Sequence, residues 1–150
     1  MLRTGVIALI LALASLSYGY GEEQGESYEH MLRVLLEQKS PEQAERLAKV
    51  KLDEQARRAL TANLDAVSAL LNSEADSLVY WTAILLGNMG PEAKAAVPAL
   101  IAVLERKVPD YVSKSCTSGV YLALDAIDAE WIKRKDVSRK IRDDHALHSK

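Results

Sequence analysis

The chain has 150 residues, 49% of them apolar, with no Phe and one Cys. That length supports one domain with a modest core, and a composition dominated by Ala and Leu favours helices over strands, so an all-α domain is expected. The formal net charge of −2 argues against wrapping a phosphate backbone, which calls for a strongly basic surface, so no nucleic-acid partner is expected. A single cysteine also rules out an internal disulfide.

In chain order, the first feature is an export signal. Arg3 precedes an apolar stretch from Val6 to Leu16, and the small residues Ser17 and Gly19 follow. Positive charge, short apolar core and small residues are the order of a secretory signal peptide. Crossing a bilayer takes about 20 apolar residues, which this stretch does not reach. Residues 1–21 are therefore expected to be removed, by cleavage after Gly19 or Gly21. The mature chain would be periplasmic or secreted and would keep no membrane span. Residues 22–26 read as a flexible lead-in to a helical domain over 27–150 that ends in a polar tail.

The first helix should begin near Ser27, because Tyr28, Met31, Leu32, Leu35 and Leu36 fall on one stripe. Ser40-Pro41-Glu42-Gln43 marks the next start, with Ser40 as cap, Pro41 at the first helical position and Gln43 completing a capping box. Asp53 caps a helix whose inward side carries Leu60, Leu64, Val67 and Leu71 and which ends at Asn72-Ser73. A helix from about Ser77 to Asn88 follows, closed by Gly90 in a left-handed conformation with Pro91 after it. Pro91 to Arg106 reads as helix again, kinked or restarted at Pro98. Val108-Pro109-Asp110 forms a turn, Tyr111 to Asp128 a helix, and Trp131 to His148 a final, less amphipathic one.

Two of these helices match each other. Leu85-Leu86-Gly87-Asn88-Met89 aligns with Ala123-Leu124-Asp125-Ala126-Ile127 at a displacement of 38 residues, and Val67 to Leu71 aligns with the segment around Ile101 to Leu104 as the first helix of a pair. The stretch from Ala83 to Leu100 (AILLGNMGPEAKAAVPAL) resembles HEAT repeats of the bacterial type, with their Leu-Gly-x-φ-Gly-Pro turn followed by Ala-Val-Pro-Ala-Leu. The resemblance covers roughly residues 53 to 128. It weakens in the second unit, where Asp125 stands for Gly87 and Asp128-Ala129 for Gly90-Pro91. It implies a short α-solenoid of antiparallel helix pairs that serves as a protein-binding scaffold, with no catalytic residue. Stacked pairs share a continuous core and leave a ridge free for docking.

Chemistry-bearing residues are few. Cys116 shares a stripe with Val112, Val120, Ala123 and Ile127, which places its sulfur in the core rather than beside a histidine base. His145 and His148 with Asp143 and Asp144 offer metal-ligand types, but at a chain end where a polar tail is the default. His30 has no evident partner. No glycine-rich phosphate loop, nucleophile triad or zinc motif occurs, so neither a cofactor nor a metal is expected.

The helix from Ser77 buries Leu78, Trp81, Leu85, Leu86 and Met89, which turns Tyr80, Ile84 and Asn88 outward. On the helix from Tyr111, the matching outward face carries Lys114, Ser118, Tyr121 and Asp125, and the 38-residue displacement pairs Tyr80 and Ile84 with Ser118 and Leu122. These residues form the expected binding ridge. The expected function is an exported, non-catalytic protein-binding module: a scaffold, an adaptor or an inhibitor of the immunity-protein type. The alternative is a surface-associated protein whose basic end (Lys133, Arg134, Lys135, Arg139, Lys140 and Arg142) meets anionic lipid or polysaccharide.

Overall fold

The computed structural model describes residues 26–107 and 114–148, and it is all-α, with no strand among them. The signal segment, the lead-in up to residue 25, and the turn and helix start over residues 108–113 lie outside the described residues.

Helix α1 (Tyr28–Gln38) starts where Ser27 Oγ accepts from the His30 amide, and it buries Met31, Leu32 and Leu35. Helix α2 (Pro41–Lys49) has its proline in the first turn, but the capping box does not form. Ser40 Oγ donates to the Glu42 carboxylate instead, and the Gln43 side chain accepts from Arg46. In a capping box the Ser40 oxygen would accept from the Gln43 backbone amide and the Gln43 side chain from the Ser40 amide, but both side chains are engaged elsewhere.

Helix α3 (Glu54–Ala62) is capped by Asp53, whose carboxylate accepts from the Ala56 amide at 2.8 Å. The single helix expected over this region breaks at Asn63, because its side-chain amide donates to the Ala59 carbonyl at 2.8 Å. A short polar side chain that bonds its own backbone competes with the helical ladder. The chain resumes as α4 (Leu64–Ala69) and tightens into a 3-10 turn, Leu70–Asn72.

Helix α5 (Asp76–Met89) ends at Gly90, with φ 64° and ψ −141°. That is positive φ as expected, but not the left-handed helical basin. It lies near a region essentially reserved for glycine. Gly90–Ala96 is 3-10 rather than α, with Ala93 out of helical geometry, and α6 (Val97–Lys107) restarts one residue before Pro98. Proline in a first turn removes no helical bond. Helix α7 is Lys114–Ile127. The expected last helix divides into a 3-10 turn, Trp131–Lys133, and α8 (Arg139–His148). Between them Arg134 forms a two-pronged pair with Asp136, and Ser138 Oγ accepts from the Ile141 amide to start α8.

The helices pack in two rows. In one row α5 lies between α2 and α7. In the other, α1 packs on α3, and the α4 region packs on the segment that leads into α6. Because α5 has neighbours on both sides and a row beneath, it buries Leu78, Val79, Thr82, Ala83, Leu85, Leu86 and Met89. A helix apolar nearly all round belongs at such a centre.

The sequence displacement reappears as contact. A Cβ on Gly119 would sit 2.5 Å from Tyr80 Cδ2, and one on Gly87 would sit 3.0 Å from Ala123 Cα. On the other flank the Asn88 amide donates to the Ala48 carbonyl at 2.8 Å. Positions 39 and 36 residues apart thus meet in order along the two helices, so α5 and α7 run parallel, with α2 packed on the other flank of α5. Basic side chains tie successive layers together: Arg57 reaches the Met89 carbonyl, Arg106 the Leu71 carbonyl at 2.8 Å, and Lys107 the Asp76 carboxylate at 2.7 Å. Cations at helix C-terminal carbonyls complement the helix dipole.

Candidate functional site

The row α2–α5–α7 turns one face away from the core. On α5, Tyr80 and Gly87 face α7, while Trp81 and Asn88 face α2. Ile84 lies between these two edges, about 40–60° from the residues of either at helical spacing. On α7, Gly119 and Ala123 face α5, and Cys116, Val120 and Ile127 point into the core. That leaves Ser118, Leu122 and Asp125 on the side opposite the core, with Leu122 61% exposed.

The aromatic residues are not where periodicity alone put them. Trp81, expected in the core, is only half-buried; Tyr80, expected outside, is half-buried as well. Their rings meet edge-on with centroids 5.0 Å apart. The Lys49 ammonium lies 5.4 Å from the Trp81 ring centroid, within reach of a cation–π contact. Ile84 is half-buried and leans on the core cluster. The face is therefore a shallow apolar and aromatic strip made of Tyr80, Trp81, Ile84 and Leu122. Lys49 stands at one edge and Ser118 and Asp125 at the other.

Of the expected ridge residues, Tyr121 turns inward, while Asn88 and Asp125 are exposed but also hold contacts within the fold. Tyr121 is buried, 5% exposed, and so does not belong to the outward face. Helix α8 and the 3-10 turn cover it: its hydroxyl donates to Asp144 at 2.6 Å, and its ring lies 6.0 Å from Trp131 and 5.4 Å from His145. Burial and the Asp144 carboxylate both push the Tyr121 hydroxyl pKa far above its ordinary value. Asn88 is exposed but spends a side-chain N–H on the end of α2. Asp125 accepts from the Trp131 indole at 2.7 Å, with the His145 ring 3.8 Å away, so only part of this carboxylate faces outward. Lys114 opens α7, and its side chain lies outside the described part.

Cys116 is fully buried, and burial pushes its thiol up to about 11, far from a nucleophile's range. Asp143 pairs with Arg139, Asp144 with Tyr121, and no group of three or more His, Cys, Asp or Glu gathers among the described residues. His30 lies between Arg33 and Glu26 on the surface.

The basic end also has internal partners, since Lys133 pairs with Glu130, Arg134 with Asp136, and Arg139 with Asp143. Its apolar residues Trp131, Val137 and Ile141 are buried in the core. No helix among the described residues is long and apolar enough to cross a membrane. Comparison with family models, curated proteins and solved structures finds no match.

Proposed function

We propose that the chain is an exported, non-catalytic protein-binding module, a short HEAT-like solenoid that docks its partner on the outward face of α2, α5 and α7. One observation carries the reading. The half-exposed pair Tyr80–Trp81 and the exposed Leu122 share a single face, while nearly all the other large apolar side chains enter the core. Rigid aromatic anchors beside an exposed aliphatic residue are the usual energetic centre of a protein interface. The repeat reading is supported by the parallel pair α5 and α7, in which residues 36 and 39 apart meet. Export is supported by the order Arg3, Val6 to Leu16, Ser17 and Gly19.

A partner in the same compartment fits either an inhibitor of the immunity-protein type or an adaptor. The rival lipid or polysaccharide surface is less well supported, because the apolar stripe it needs beside the basic residues is already buried.

The test is affinity capture of the partner with the tagged, exported chain and with a Tyr80→Ala/Leu122→Glu variant. Loss of capture by at least tenfold, with an unchanged circular-dichroism spectrum and a still cooperative melting transition, is the expected result. Full retention of the partner by the folded double variant rejects this face as the docking site.

A further inference from the structure

A different part of the molecule carries a feature that protein docking on α2–α5–α7 does not use. Past the break at Asn63, the chain leaves an open groove of about 540 Å³ between the end of α1 and α4. Its walls and floor are Leu36, Ala69, Leu70 and Leu78, and Leu36 also lines an adjoining groove of about 380 Å³ toward the start of α1. The volume falls in the range of small-molecule sites, about 300–1,000 Å³, which are typically apolar with few polar groups.

The polar groups at the mouth include Lys39 and the Asn72 amide. Lys39 is the only non-glycine residue with positive φ among the described residues, at φ 51° and ψ 40°. This is the helix-closing position that glycine fills at least cost, because a β-carbon there crowds the backbone. The exposed Lys39 ammonium makes no ion pair or side-chain hydrogen bond among the described residues. A disfavoured backbone that carries an uncommitted cation to the lip of an apolar groove is the kind of local cost that functional sites retain. The adjoining groove carries Glu29 and Glu37 with one cation, Arg33, which is engaged with His30, so its lining favours an anion less than the Lys39 end does.

We propose that this groove binds a single-chain anionic amphiphile, a free long-chain carboxylate, with its chain over Leu36, Leu70 and Leu78 and its carboxylate at Lys39. No covalent step is involved.

Dodecanoate, decanoate and dodecyltrimethylammonium, each below its micelle-forming concentration, are titrated into the full chain and followed by heteronuclear NMR. Saturable 1:1 binding of dodecanoate, with shifts centred on Leu36 and Leu70, is expected. Decanoate should bind about tenfold more weakly, as the loss of two buried methylenes implies, and the cationic amphiphile more weakly than dodecanoate.

Two variants separate binding from stability. Lys39→Gly should weaken dodecanoate binding about threefold to fivefold, yet raise the melting midpoint, because glycine suits the backbone there. Ala69→Trp, a change at an exposed wall position, should abolish binding while the fold is kept. The absence of saturable dodecanoate binding overturns the proposal. So does equal affinity for the cationic amphiphile, undiminished affinity in Lys39→Gly, or persistence of the same binding in folded Ala69→Trp.

Discussion

Thr82 sits midway along α5 with its hydroxyl fully buried and without a hydrogen-bond partner among the described residues. A buried orphan hydroxyl costs on the order of 1–3 kcal/mol. Thr82→Val is therefore expected to stabilise the chain by about 1 kcal/mol in urea unfolding; a clear loss would show that the hydroxyl is satisfied. Cys116 and Tyr121 both have raised acid pKa values, mainly from burial. The unfolded chain releases these protons first as pH rises, so stability is intact below about pH 8.5 and falls above it. For the thiol, the fall runs to about pH 11. Urea midpoints that decline through pH 9 to 11 are expected, and Cys116→Ala should remove part of the decline; a flat profile contradicts the burial account. The core position of Cys116 was legible in its stripe. That of Tyr121 was not, because helical spacing reports only one helix, and this ring is covered by a segment some twenty residues away.

At the scale of elements, close approach decides more than propensity. Gly87 lets α5 and α7 touch, since a β-carbon there would meet the Ala123 backbone at 3.0 Å. Backbone cannot swing aside as a side-chain end can, so Gly87→Val is expected to cost about 2–3 kcal/mol, read as a lowered urea midpoint. An unchanged midpoint would mean that the two helices can part freely. Trp131 is fully buried and packs against Tyr121 and His145. Trp131→Ala should cost about 3–5 kcal/mol and speed amide exchange in α8, and the same protection in α8 would show it docks without the indole. Helix starts were legible where local chemistry governs them, as at Asp53 and Pro41. The breaks at Asn63 and between Lys133 and Arg139 were not. They depend on whether a particular amide or guanidinium finds its nearby acceptor, Ala59 or Asp136, and residue pattern does not decide that competition.

For the whole molecule, the 38-residue displacement was the most informative sequence signal, since it anticipated which helices would lie side by side. It also paired Ile84 with Leu122, and Leu122 is the most exposed large apolar residue of the row α2–α5–α7. Trp81 escaped the periodic reading because α5 has neighbours on both flanks, and its inward arc cannot be centred from its own residues alone. Truncating the chain before Lys133 is a poor probe of the basic end, because it removes the buried Val137 and Ile141 and uncovers Tyr121. The most direct test of the docking face is site-specific photo-crosslinking in the native compartment, with the probe placed either at Leu122 or at Thr61, an exposed position on α3 in the opposite row. The account predicts a discrete protein adduct from Leu122 and none from Thr61. Adducts from Thr61 alone, or the same adducts from both positions, would contradict it.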